Sequence, residues 1–293
     1  MQANPASASG GTERVRAPRP AAGRVAPYAS ISEQEFQDIR SWIHERAGIS
    51  LSNQKRALVM GRLAPRLRHH QLASYGEYFE MLRGGEHPGE LQIAVDLLTT
   101  NETHFFREPK HFDFLRNRVL AKHPQGRMLR IWSAASSSGE EPYSIAMTLA
   151  ASLGDAPWEV LASDLSSRVL ERARNGHYAM TRAKTIPQPL LQAYCLKGIG
   201  SQEGTFLVEP KIRGRVKFMQ INLVERLSDL GELEVVFLRN VMIYFDLQTK
   251  REVVARILPF LRSGGHLIVG HSESLNGVSD ALKIVQPSVY RKP

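Results

Sequence analysis

Three polar residues stand where apolar runs stop, and their types suit recognition of a nucleoside-containing ligand. Trp158-Glu-Val-Leu-Ala-Ser-Asp164 ends in an acid about 25 residues after a small-residue loop at 134–139, which itself follows a strand-like run at 128–133. Ligands of open α/β sheets lie beyond the carboxyl ends of the strands and face a helix N-terminus. An acid ending the second strand can reach a ribose diol across the first crevice. The loop lacks the G-x-G-x-x-G pattern, so on these residues alone a purely structural βαβ unit stands beside cofactor binding. The runs 216–223 and 233–244 place Asn222 and Asn240 near strand ends, where an amide can meet a purine edge or an amino-acid carboxylate.

The stretch Thr99-Thr-Asn-Glu-Thr-His-Phe-Phe-Arg-Glu108 is too rich in short polar residues for a helix interior and too aperiodic for a core strand. Asn101, Thr103 and Arg107 offer an amide, a hydroxyl and a guanidinium, while Phe105 and Phe106 can anchor the loop; each polar residue is equally readable as a loop-fixing group. Glu140 and Glu141 fall in the first turn after Gly139, where carboxylates favour the helix dipole. Ser138 with Glu141 fits a capping box, which gives Glu141 a purely structural reading as well. His271 follows the strand-like run His266-Leu-Ile-Val-Gly270 and faces the same rim, where it reads as a satisfied supporting histidine rather than a catalytic one.

Residues 1–29, with four arginines and one glutamate, read as a disordered basic tail. Folding is expected from Ser30, with Ser32 and Glu35 capping a helix that presents Phe36, Ile39, Trp42 and Ile43 on one face and stops at Gly48. A second helix spans about 53–70, with Pro65 as a kink or a break. It carries Lys55, Arg56, Arg62, Arg66 and Arg68 with no acid between Leu51 and Gln71, so it is expected to dock an acidic surface. Helical runs at 74–83 and 88–98 complete a helical module over 30–98, followed by the linker 99–108 and an α/β domain over 109–293.

Within that domain helices are expected at 110–121, 166–175 and 249–261, a turn at 263–265, and a last antiparallel strand at 282–291. Clustered glycines, including Gly198 and Gly200, mark a small β insertion at about 195–215 whose exposed edge can accept a peptide as an added strand.

At 293 residues and 42% hydrophobic content the chain has one large or two modest cores, and no apolar run is long enough to span a bilayer. A cytoplasmic protein without membrane insertion is expected. Cys195, the single cysteine, excludes an intrachain disulfide and reads as a buried or half-buried thiol rather than a nucleophile. The net charge of +9 favours acidic partners. A monomer is expected, since no coiled coil is present.

Five stretches in order, Thr99–Glu108, Trp132-Ser-Ala-Ala-Ser-Ser-Ser-Gly-Glu-Glu-Pro-Tyr-Ser144, Ala162-Ser-Asp164, Arg239-Asn-Val-Met-Ile-Tyr-Phe245 and Gly270-His-Ser-Glu273, resemble the chemoreceptor glutamate O-methyltransferases of bacterial chemotaxis, over about residues 30 to 291. The resemblance implies an α/β fold with a Rossmann-like S-adenosylmethionine-dependent methyltransferase domain, a small antiparallel β subdomain and an all-α N-terminal domain. It implies transfer of a methyl group to receptor glutamates, with S-adenosylhomocysteine as product and no metal. Cofactor contacts implied by position are Asn101, Thr103, Arg107, Glu141, Asp164, Asn222, Leu223, Asn240 and Val241, with Arg107 and Tyr244 bordering the reacting methyl.

Chemoreceptor cytoplasmic domains would be the partners, met by Lys55, Arg56, Arg62, Arg66 and Arg68, with a receptor C-terminal peptide at Gly198 and Gly200. The enzyme would be recruited to membrane receptor arrays. A noncatalytic cofactor-sensing scaffold is the alternative. A nucleic-acid methyltransferase is disfavoured because residues 240–244 lack an Asn/Asp-Pro-Pro-Tyr/Phe element and no aromatic wall for a flipped base is evident, so no nucleic acid is expected.

Overall fold

The computed structural model describes residues 30–85 and 87–293; the basic tail expected over 1–29 lies outside the described residues. Helix α1 (Glu33–Ala47) begins with the expected capping box, Ser32 and Glu35 exchanging bonds of 3.2 and 2.7 Å, and ends at Gly48, whose φ of 69° suits a residue without Cβ. After a 3₁₀ turn at Asn53–Lys55, α2 (Arg56–His69) runs through Pro65 without a break. Pro65 costs one backbone bond, and burial of Leu63, Ala64 and Leu67 on the inner face holds the helix across it. Helices α3 (Tyr75–Gly84) and α4 (Pro88–Leu98) close a core of Phe36, Ile39, Ile43, Val59, Leu63 and Tyr78.

Helix α5 (Lys110–Phe114) passes into a π turn (Leu115–Val119) and a 3₁₀ turn (Leu120–Lys122), so the regular helix expected over 110–121 is irregular. There follow β1 (Leu129–Ser133), α6 (Glu140–Leu153), β2 (Trp158–Asp164), α7 (Ser167–Asn175), β3 (His177–Ala179), α8 (Gln188–Tyr194), β4 (Cys195–Lys197), β5 (Thr205–Val208), α9 (Pro210–Arg213) and β6 (Val216–Gln220). The chain ends with β7 (Leu233–Leu238), α10 (Leu247–Ile257), β8 (Leu261–Val269), β9 (Lys283–Gln286) and β10 (Val289–Arg291).

The seven-stranded sheet has the order β6-β2-β1-β7-β8-β10-β9. Its first five strands are parallel, while β10 is antiparallel to β8 and to β9. Both faces are covered, so both side-chain parities must be apolar. Val235 and Phe237 of β7 enter one core, and Val236 and Leu238 enter the other beside Trp132 and Val253. The chain moves from β1 outward to β2 and β6, then returns to β7 on the other flank of β1. That reversal opens a crevice at the carboxyl ends of β1 and β7.

Four expectations change. The small sheet is β3-β5-β4, so it recruits His177–Ala179 well before residue 195, and Pro210–Arg213 is helical. Three residues are too few to show alternation. The helix expected at 249–261 starts at Leu247, because Asp246 caps it through the Thr249 amide at 2.8 Å, and ends at Ile257. Residues 263–265 are strand rather than turn: Gly264 donates to the Lys292 carbonyl and Lys292 to the Gly265 carbonyl, both at 2.9 Å, and 282–291 holds two strands instead of one.

The helical half is sewn to the sheet domain. Ile49 pairs with Phe245 as an antiparallel bridge, the Ser50 amide donates to the Tyr244 carbonyl at 2.7 Å, and His44 meets Asp246 at 2.8 Å. Among the described residues no helix is long and apolar enough to cross a membrane.

Candidate active site

A crevice lies at the switch point, walled on one side by the helical half and on the other by the sheet. Ala134, Ala135 and Ser137 from the loop after β1, Asp164 from β2, Asn222 and Leu223 after β6, and Asn240, Val241 and Tyr244 after β7 all line it. Asn101, Thr103 and Arg107 of the linker and Glu141 of α6 line it as well. The structure therefore brings all the residues expected around a cofactor and its reacting methyl to one crevice. Lys55 and Arg62 of the helical half complete the wall.

Asp164 is buried, and its oxygens accept the Ser137 amide at 2.8 Å and the Ser166 amide at 2.9 Å. Burial pushes its carboxyl up, against the pull of the Ser166 and Ser137 amides. Each oxygen keeps a further acceptor site. Small side chains on one side, a carboxylate on the next strand, and apolar walls from Ile221, Leu223 and Val241 form a slot suited to a purine ring with its ribose. The Asn222 amide is largely committed to the protein, donating to the Arg46 carbonyl at 2.6 Å and to Glu225 at 2.9 Å.

Beneath the crevice sits an ion cluster that the sequence reading missed. The Arg239 side chain, 1% exposed at the end of β7, donates to Glu141 at 2.7 Å, to Glu108 at 3.0 Å and to the Arg107 carbonyl at 2.5 Å. Burial raises the Glu108 carboxyl, but Arg239 outweighs it, helped by bonds from the His271 amide and the Asn240 side chain, and brings it down to about 2. The signal available was an arginine directly after the apolar run 235–238, a position that forces a buried charge to find partners. Glu273 was also missed as an organiser: it accepts the amides of Asn240, Gly270 and Ile243 at 2.7, 2.6 and 3.2 Å.

Backbone strain gathers here. Phe106, Glu108, Ser137 and Asn240 have φ between 48° and 59°, while among the described non-glycine residues only Gln71 and Ser288 share that region elsewhere. The expected Ser138–Glu141 capping box does not form. Gly139 is the N-cap, with φ 98°, Ser138 bonds Glu140, and Arg239 and Ser133 draw the Glu141 carboxylate inward instead. Behind the cluster, the ligand atoms of Glu108, His111 and His271 lie within 4.8 Å of one another. Glu108 is already engaged by a buried guanidinium, which opposes a dication.

The basic helix departs most from expectation, for two of its five cations meet carboxylates and a third is held by backbone carbonyls. Arg66 pairs with Glu90 of α4, Arg56 with Glu33 at 3.1 Å, and Arg62 donates to the carbonyls of Leu98 and Thr99 at 3.0 and 2.9 Å. Lys55 and Arg68 are exposed. The partners come from α1 and α4, which a search for acids within α2 could not reveal. Gly198 and Gly200 sit in the loop between β4 and β5, away from the crevice, beside the exposed side chains of Leu196 and Ile199. Cys195 is half-buried, and burial pushes its thiol up to about 12.

A doubly wound sheet with a small-residue loop facing an acid on the adjacent strand defines the class of nucleoside-cofactor-binding α/β proteins. Residues 101–291 match the family described as CheR methyltransferase, SAM binding domain, and residues 34–99 match CheR methyltransferase, all-alpha domain. The chain belongs to the CheR methyltransferase family. Similar proteins include the chemotaxis protein methyltransferase of Escherichia coli, 41% identical over 266 residues, covering 89% of this chain and 91% of that one. The chemotaxis protein methyltransferase 2 of Pseudomonas aeruginosa is 43% identical over 262 residues, covering 88% and 93%.

Proposed function

We infer that the protein transfers a methyl group from S-adenosylmethionine to the side-chain carboxylate of glutamates in chemoreceptors, leaving a glutamate methyl ester and S-adenosylhomocysteine. The observation that carries this is the Arg107 guanidinium in the crevice: its one hydrogen bond to the described residues goes to the Glu102 carbonyl at 3.1 Å, with no carboxylate paired to it. An arginine held ready but not neutralised suits an anionic acceptor.

When bound, S-adenosylmethionine supplies a methyl activated by its sulfonium leaving group. Asp164 would hold the ribose hydroxyls, Leu223 and Val241 would wall the base, and Asn101, Thr103, Glu141, Asn240 and the Asn222 side-chain oxygen would hold the cofactor's polar groups. Arg107 aligns the incoming carboxylate, and Tyr244 walls the methyl site. A glutamate carboxylate is ionised at neutral pH and already nucleophilic. The chain's contribution is therefore alignment and exclusion of water rather than proton abstraction. Arg107 must hold the acceptor loosely, because charge is neutralised as the bond forms.

A receptor C-terminal peptide is proposed to dock on the β subdomain, where the Ile199 side chain is 82% exposed and Leu196 projects from edge strand β4 at 47%. Such tethering raises the local concentration of acceptor sites and recruits the enzyme, as a monomer, to membrane receptor arrays in the cytoplasm.

The deciding experiment follows radiolabelled methyl from S-adenosylmethionine into receptor cytoplasmic fragments and then releases it with mild alkali. Base-labile, protein-bound label recovered as methanol is expected. Base-stable label would place the methyl on nitrogen or another stable acceptor, and absence of transfer despite cofactor binding would favour a noncatalytic cofactor sensor or the wrong receptor.

A further inference from the structure

A second cavity, about 550 Å³, opens beside the crevice and shares Asn101, Thr103 and Arg107 with it. Its far wall is α7, which presents Arg168 and Arg172 four positions apart and therefore on one face. Its floor carries Arg182, whose charge is met by the fully buried Glu140. The other three guanidiniums are not neutralised by any described carboxylate. The Arg168 guanidinium donates to the Asp96 carbonyl at 3.3 Å while the Asp96 carboxylate is taken by the Ser167 hydroxyl and the Arg168 backbone amide, the Arg107 guanidinium donates only to the Glu102 carbonyl, and Arg172 has no hydrogen-bond or ion-pair partner among the described residues. Against them the lining sets one acid, Glu102. The arginines of α2 whose partners are described are consumed by Glu90, Glu33 and backbone carbonyls, so this cavity holds a concentration of unsatisfied positive charge next to the acceptor site.

We propose that Arg168 and Arg172 bind a second carboxylate on the segment that carries the acceptor glutamate, one helical turn from it, while Arg107 receives the acceptor itself. The proposal deepens the reading of the protein as a glutamate methyltransferase and rests on it. Carboxylates one turn apart on a partner helix lie on one face, as these arginines do on theirs, and guanidinium forks match carboxylates in pairs. The pair thus selects which glutamates are methylated, not how fast a correctly seated one reacts.

The test compares full-length Arg168→Glu/Arg172→Glu and the milder Arg168→Gln/Arg172→Gln with Arg118→Glu/Lys122→Glu. The last pair changes net charge as much as the first but lines a different cavity, beside Arg262 and Arg291. Methylation of receptor cytoplasmic fragments is measured against fragment concentration and salt, with S-adenosylhomocysteine affinity as the check on folding. Both α7 variants should raise KM for the fragment, the reversal by about tenfold or more, with weakened salt dependence and with kcat and product affinity held within about twofold. An unchanged KM in the glutamine variant, or an equal rise in the Arg118/Lys122 variant, overturns the proposal. Absence of base-labile transfer by the wild type is a different result and overturns the underlying reading as well.

Discussion

Replacing Arg239 by glutamine tests whether the buried cluster is what holds the crevice floor. The change leaves the carboxylates of Glu108 and Glu141 facing the same space without their cation and removes a donor from the Arg107 carbonyl. Breaking a buried pair from one side costs about 3–5 kcal/mol. The Glu108 carboxyl, which burial would raise, is held down to about 2 by Arg239 with help from the His271 amide and the Asn240 side chain, which points the same way. At about 2–4 °C per kcal/mol, Tm should fall by about 6–20 °C.

The pH dependence fixes the sign. In the wild type the depressed Glu108 contributes stability that is present above about 4.5 and lost as pH falls through about 2. In the variant Glu108 loses its main counter-charge and Glu141, already raised by burial, is raised further, so their penalty is full at neutral pH and fades as they protonate. Urea unfolding at about pH 7.5 and about pH 5 should therefore show the gap between variant and wild type narrowing at the lower pH. A loss below about 1 kcal/mol, or one equal at both pH values, would refute the assignment.

Asp164→Asn keeps one carbonyl for two backbone amides and the ribose, so the Kd for S-adenosylhomocysteine by calorimetry should rise about 10–100-fold. Arg66→Glu places a second carboxylate against buried Glu90, so thermal unfolding should reveal destabilisation of about 3–5 kcal/mol, with methylation lost through folding rather than through receptor contact. In Gly198→Ala the new Cβ would meet the Gln202 carbonyl oxygen and lie 2.6 Å from Thr205 Oγ1. Peptide binding measured by fluorescence anisotropy should weaken while cofactor affinity stays unchanged.

Much of the catalytic half was legible because local signals sufficed. β1, β2 and β7 are mainly apolar runs, each interrupted by one charged residue near its start, α7 and α1 begin at serine caps, and Asp164 sits where the apolar run of β2 ends. What was hidden depends on partners distant in the chain. Glu141 is drawn from its cap by Arg239, 98 positions away, and Arg66 is neutralised by Glu90, 24 positions away. Gly264 and Gly265 look like a turn until the C-terminal Lys292 pairs with them. Charge in particular cannot be read as surface charge from one element, because the neutralising carboxylate comes from whichever element packs against it.

The seam between α1 and the segment after β7 ties the two halves of the molecule to a common inheritance. Asp246 meets His44 while capping α10, and Tyr244 lends its carbonyl to Ser50 while its ring faces the crevice. A helical half transplanted from a relative would arrive with the wrong stitches unless residues 244–246 travelled with it. Changes in the helical half are thereby constrained to remain compatible with the strand end that lines the crevice.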